Sequence, residues 1–139
     1  MTLGTNRKKI LYVEDDDANQ YYMRLMVEEY GCSLDLASDG QEALEKVKAN
    51  KYDLIFMDLR MPVMDGFQVT RRIREFIDKS VLIVAVSANV FDGTDDQCFS
   101  AGMNGFIGKG SDIEKFKNEV LFWLEKSRPQ PARKNDKNV

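Results

Sequence analysis

The chain has 139 residues, of which 43% are hydrophobic and 31% charged, and its net charge is −3. That is enough for one domain with one core, and the composition excludes a disordered chain. The slightly acidic balance excludes the basic face that nucleic acid requires.

Apolar runs alternate with helix-like stretches five times along the chain. Ile10–Val13 predicts a first strand, and it ends on an acidic cluster, Glu14-Asp15-Asp16-Asp17. Residues 18–30 predict a helix with Ala18, Tyr22, Leu25 and Met26 on one face. Asp16 and Asp17 favour its N-terminus through the helix dipole, and Gly31 can close it as a left-handed cap. Ser33–Ala37 predicts the second strand. Asp39-Gly40 opens a helix over 41–49, with the aspartate as N-cap and Ala43, Leu44 and Val47 facing inward.

Leu54–Met57 predicts the third strand, which delivers Asp58 at its end. Asp65-Gly66 opens a helix over 67–77 that places Val69, Ile73, Phe76 and Ile77 on one face. Val81–Val86 predicts the fourth strand and ends on Ser87. A weaker helical pattern covers 93–101. Gly105–Ile107 predicts the fifth strand, with Lys109 just beyond it. The last helix spans 112–126, capped by Ser111 or Asp112, with Ile113, Phe116, Val120, Trp123 and Leu124 at helical spacing. Residues 127–139 carry two prolines and little apolar content, so they read as a disordered tail or linker stub. This tail has a balance of +3, which leaves −6 on the rest of the chain.

What is missing narrows the chemistry. There is no histidine. Ser-His-Asp and Cys-His nucleophile systems, histidine-ligated zinc and phosphohistidine on this chain are excluded. Carboxylates, lysine, hydroxyls and a metal that accepts oxygen ligands remain. Cys32 and Cys98 show no metal-type spacing and read as free thiols of a reducing compartment. The longest apolar run, Val81–Val86, falls far short of the ~20 residues a membrane-spanning helix needs. The N-terminus lacks the apolar stretch of a signal peptide, so the expected location is cytoplasmic, with no membrane contact.

Strand–helix alternation with short apolar strands implies a parallel sheet covered on both faces, with right-handed crossovers. A five-stranded doubly wound sheet takes the order 2-1-3-4-5, and ligands bind beyond the carboxyl ends of its strands at the switch point. Glu14 and Asp15 end the first strand and Asp58 the third, so this topology brings them together. Ser87 and Lys109 then border the same pocket. Clustered carboxylates repel and need a cation or proton to coexist.

This pattern resembles the receiver domain of response regulators in two-component (His-Asp phosphorelay) signalling. The resemblance spans residues 8–126. It rests jointly on the acidic pair, Asp58 followed by Met61-Pro62 and Met64-Asp65-Gly66, Ser87-Ala88, and Lys109 after Gly105-Phe106. It implies a flavodoxin-like doubly wound (βα)5 three-layer sandwich. By position, Asp58 looks like the phosphoacceptor, and Glu14, Asp15, Asp58 and the main-chain carbonyl of Arg60 like the Mg²⁺ ligands. Ser87 and Lys109 look like the partners of the phosphoryl group, Ser87 and Phe106 like the switch pair, and Arg60 and Asn89 like tuners of phosphate lifetime. The implied donor is a histidine kinase or a histidine phosphotransfer protein. The output partner is a protein that the sequence does not name, and the implied oligomeric state is a monomer or a weak phosphorylation-dependent dimer. Apart from its own phosphorylation and dephosphorylation, no separate substrate is turned over.

Two positions depart from the family. Gly110 stands where a proline usually follows the lysine, so a trans peptide is expected, because a cis bond without proline costs about 2.5–4 kcal/mol. Phe106 replaces the tyrosine of some members and offers no hydroxyl. An aspartate-nucleophile phosphatase would need a second aspartate at position 60, which is Arg60. A flavin-binding electron carrier would need a Ser/Thr/Gly phosphate loop where this chain puts four acids. A degenerate scaffold receiver would lack part of the site.

Overall fold

The computed structural model describes residues 7–88, 93–110 and 112–127. Five short strands, β1 (Lys9–Val13), β2 (Ser33–Ala37), β3 (Leu54–Asp58), β4 (Leu82–Ser87) and β5 (Gly105–Gly108), alternate with five helices. The helices are α1 (Asp17–Glu29), α2 (Gly40–Ala49), α3 (Gly66–Phe76), α4 (Thr94–Ala101) and α5 (Ile113–Lys126). The strands form one parallel sheet in the order β2-β1-β3-β4-β5, as the alternation predicts.

Side chains on a strand alternate between faces, and here both faces are dry. Leu11, Val13, Ile55, Met57, Ile83 and Ala85 pack with residues of α2, α3 and α4. Ile10, Tyr12, Leu54, Phe56, Val84, Val86 and Ile107 pack with residues of α1 and α5. The result is a three-layer doubly wound sandwich. Switching helices from one face to the other between β1 and β3 leaves a crevice at their carboxyl ends.

Asp39, Asp65 and Asp112 cap α2, α3 and α5 by accepting from the backbone N–H groups of Glu42, Gln68 and Lys115. Asp65 and Gln68 complete a reciprocal capping box. Ser111, the alternative cap, lies outside the described residues. Gly31 follows α1 with φ of 96°, the left-handed conformation its position requires. Ser127 closes α5: its N–H donates to the Trp123 carbonyl, and its hydroxyl to the Leu124 carbonyl. Residues 128–139 lie outside the described residues.

Several helix faces differ from the periodicity reading. α1 buries Met23, Met26 and Val27, while Ala18 and Tyr22 are exposed and Leu25 is 49% exposed. Two overlapping apolar stripes run along this helix, and only one can face the sheet. On α3, Val69 and Ile73 are buried, but Phe76 points outward and Thr70 takes the inner position. Ile113 at the start of α5 is also exposed. No helix among the described residues is long and apolar enough to cross a membrane.

Candidate functional site

β1 and β3 are neighbours in register, with Val13 opposite Met57. Their next residues, Glu14 and Asp58, therefore emerge together at the sheet's carboxyl edge. One carboxylate oxygen from each of Glu14, Asp15 and Asp58 lies within 4.8 Å of the others. Glu14 is 2% exposed and Asp58 7%, whereas Asp15 faces solvent. Asp16 stands apart as the N-cap of α1, accepting from the Asn19 N–H at 2.9 Å.

The two buried carboxylates are held in opposite ways. Burial and then the Glu14 charge push the Asp58 carboxyl up to about 6, against the Arg60 N–H, which donates to its Oδ1, and the Lys109 charge. Burial alone would raise Glu14 too. The hydrogen bond and charge of Lys109, the Tyr12 hydroxyl and the Asp16 N–H outweigh it and hold Glu14 below the usual carboxylate range. Lys109 Nζ donates to Glu14 Oε1 at 2.9 Å. Tyr12 Oη donates to that same oxygen at 2.9 Å, and the Asp16 N–H to Oε2 at 3.1 Å. The Gln20 side-chain amide reaches the Glu14 carbonyl at 2.6 Å.

Ser87 ends β4, buried, and its carbonyl accepts from the Lys109 N–H at 2.8 Å. It lines a cleft of about 510 Å³ with Arg60, Met61, Asp65 and Thr94. Phe106 lies opposite Ala85 on β5, half-buried against the core beneath α2–α4. It borders a second cleft of about 450 Å³ shared with Ala88, Lys109 and Gly110. No cis peptide occurs among the described residues, so Lys109-Gly110 is trans, as expected. Asn89 lies outside the described residues.

Gly66 shows how tightly the acceptor strand is held. A Cβ there would sit 2.3 Å from the Asp58 carbonyl oxygen and 3.0 Å from the Leu59 Cα. Only a residue without a side chain lets α3 begin this close to β3.

Tyr12 is not among the site residues that the sequence motifs mark. Its signal was present: residues two apart on a strand share a face, so Tyr12 and Glu14 necessarily point the same way. The assembled groups form an all-oxygen acidic cluster with one buried aspartate whose carboxyl is pushed up, and an adjacent ammonium. This set can hold a hard divalent cation and present a carboxylate to an electrophile.

Comparison with known proteins agrees with this geometry. A response regulator receiver domain model matches residues 10–121. Hybrid signal transduction histidine kinase L of Dictyostelium discoideum is 43% identical over 108 residues, covering 73% of this chain and 6% of that protein. The receiver domain of sensor histidine kinase PA1611 from Pseudomonas aeruginosa PAO1, solved with a magnesium ion coordinated in its active-site cleft, is 34% identical. It superposes with a TM-score of 0.76 over 86% of this chain and 96% of that one. The chemotaxis protein CheY4 of Vibrio cholerae shares the fold at 24% identity, with a TM-score of 0.77 over 87% of this chain and 98% of that one. The chain spans only 6% to 16% of its most similar curated relatives. With the fold, the family match and these identities in agreement, the chain belongs to the response regulator receiver family, the phospho-accepting signalling modules of His-Asp phosphorelays.

Proposed function

We propose that Asp58 accepts a phosphoryl group from a phosphohistidine on a histidine kinase or histidine phosphotransfer protein. An Asp58 carboxylate oxygen attacks phosphorus in line. The phosphorus–nitrogen bond breaks, and its electron pair returns to the imidazole of the donor. The observation that carries this reading is the convergence of Glu14, Asp15 and Asp58 oxygens within 4.8 Å, with the Lys109 ammonium 2.9 Å from Glu14.

The donor set fits Mg²⁺, which favours carboxylate, carbonyl and water oxygens and finds no nitrogen or sulfur ligand here. Glu14, Asp15, Asp58 and the main-chain carbonyl of Arg60 would hold it. Bound there, it supplies charge neutralisation for the phosphoryl oxygens. Lys109 leaves Glu14 to pair with the phosphoryl group as a point charge, and the Ser87 hydroxyl donates to it. Inward movement of Ser87 frees space that Phe106 fills, changing the outer surface around α4, β5 and α5. Arg60 and Asn89, two residues past Asp58 and Ser87, tune the lifetime of the phosphate.

The receiver covers residues 8–126 and closes on the buried Ser127 cap, where the sequence pattern began the tail, and the residues beyond serve as tail or linker. It turns over no separate substrate, works in the cytoplasm as a monomer or weak phosphorylation-dependent dimer, and signals to a protein partner. Intact mass spectrometry with Mg²⁺ and acetyl phosphate tests the reading. One phosphoryl adduct is expected, absent without Mg²⁺ and absent in Asp58→Asn. Undiminished labelling of Asp58→Asn overturns it.

A further inference from the structure

Glu14 Oε1 carries two donors of opposite character. Tyr12 is 1% exposed, its ring set edge-on against Phe56 at 6.5 Å and 89° within the α1/α5 core. Its hydroxyl donates to Glu14 Oε1 at 2.9 Å, and the residue also borders a cavity of about 160 Å³ between α1 and α5. Lys109 is the more exposed donor, its side chain 20% exposed. Its stem borders the cleft of about 450 Å³ on the β5–α5 side and the same cavity between α1 and α5.

We propose that Tyr12 is a positioning residue: its hydroxyl is the fixed donor that holds buried Glu14 in place when Lys109 transfers to the phosphoryl group. The inference rests on the phosphoacceptor reading of Asp58. A buried carboxylate that loses a donor is costly to leave unmatched. If Lys109 were the sole hydrogen-bond donor to Oε1, its departure would leave that oxygen without a donor and loosen the orientation of Glu14 within the cluster. Tyr12 keeps Oε1 matched throughout, while the Asp16 N–H keeps Oε2. The transfer of Lys109 then costs one hydrogen bond rather than the orientation of the acidic cluster. This is the role of an outer partner that orients a ligand without touching the reacting atoms.

The test uses beryllofluoride, a non-covalent stand-in for the phosphoryl group, at saturating Mg²⁺ on the full chain. Affinities are read from amide NMR titrations of wild type, Tyr12→Phe, Glu14→Gln and the double variant. Tyr12→Phe keeps the ring and its contact with Phe56, and is expected to weaken beryllofluoride binding by about tenfold. The same change added to Glu14→Gln is expected to have no further effect, which a purely structural role would not produce. Unchanged affinity in Tyr12→Phe, or an equal loss in both backgrounds, overturns the inference. Where a variant fails to fold or bind, the wild-type hydroxyl proton of Tyr12 decides. It is expected to persist as a slowly exchanging resonance in the beryllofluoride complex, and its loss on ligand binding overturns the inference. Wild type that binds no beryllofluoride with Mg²⁺ refutes the phosphoacceptor reading itself, whereas tight wild-type binding with an indifferent Tyr12→Phe refutes Tyr12 alone.

Discussion

Lys109 Nζ pairs with Glu14 Oε1 at 2.9 Å, and among the described residues it makes no ion pair with Asp58. The ammonium thus rests on the non-reacting carboxylate and neutralises the cluster from its edge. In this position it competes with any divalent cation for the same charge. Lys109→Met is therefore expected to bind Mg²⁺ more tightly than wild type and yet to be less stable without it. Removing one partner of a fully buried pair costs about 3–5 kcal/mol. The Lys109 side chain is 20% exposed, and Glu14 can take up a proton, so about 2 kcal/mol is the expected loss here. Urea unfolding in EDTA and in Mg²⁺, with calorimetric titration of Mg²⁺, reads both effects. Weaker Mg²⁺ binding in Lys109→Met would show that the lysine does not compete for the site.

Gly66→Ala tests the close approach of α3 to the acceptor strand. The added Cβ meets backbone, the Asp58 carbonyl at 2.3 Å, and backbone cannot rotate aside. A loss of about 2–3 kcal/mol is expected, the upper part of the range for overpacking. Urea midpoints at unchanged m-value measure it. Because the displaced atoms belong to Asp58 and Leu59, acetyl phosphate labelling should slow even where the fold survives. A midpoint equal to wild type would mean that α3 has slack that this contact denies.

The fold was legible because its signals were local and redundant. Most strands are short apolar runs followed by a polar residue, and Asp39 and Asp65, with Ser111 or Asp112, announced helix starts. The acidic cluster was legible because topology alone brings the ends of β1 and β3 together. Helix faces were less so. Tyr22 and Leu25 share one apolar stripe on α1, and Met23 and Val27 belong to the adjacent one. Periodicity finds both, and only packing against the sheet selects between them. The resting partner of Lys109 was not legible either. It depends on which oxygen the side chain reaches across the trans Lys109-Gly110 loop, a matter of ångströms that no spacing in the chain encodes.

Arg74 ties α3 to the elements that border the site. Its Nε donates to the Gly102 carbonyl at 2.8 Å, and its Nη2 to Asn104 Oδ1 at 2.9 Å. Asn104 Oδ1 also accepts from the Ile83 N–H at 2.9 Å, so one amide links α3, β4 and the turn before β5. Arg74→Met keeps the stem and removes the donors. It is expected to cost about 2 kcal/mol, since hydrogen bonds from charged groups are worth about 1.5–3 kcal/mol each, and of these one is part-buried and one exposed. Hydrogen exchange of the Ile83 amide should accelerate beyond what the global loss explains. Uniform acceleration across all strands would instead show that Arg74 supplies stability without holding Asn104.

Asp58 makes the metal-free protein pH-dependent in a direction opposite to that of an ordinary salt-bridged aspartate. Its folded-state pKa stands at about 6 because burial and the Glu14 charge disfavour the anion. An unfolded aspartate titrates near 3.9. Below about pH 4 both states hold the proton, and Asp58 contributes no penalty. Between about pH 4 and 6 the unfolded chain gives the proton up while the folded protein keeps it, so stability falls as pH rises. Above about pH 6 the folded protein carries the full cost of a buried anion beside Glu14, on the order of 2–3 kcal/mol for this shift. Glu14, held below its usual range, acts in the opposite sense and is lost on acidification, so the Asp58 contribution must be read as a difference. Asp58→Asn keeps an oxygen for the Arg60 N–H and removes the charge. In EDTA, its stability relative to wild type should grow by that amount between pH 4 and pH 7, and saturating Mg²⁺ should shrink the gain by stabilising the wild-type anion. Urea unfolding of both proteins across this range measures the difference directly. A gap that stays constant with pH would place the Asp58 titration outside this window, and with it the charge coupling to Glu14 on which the acidic cluster depends.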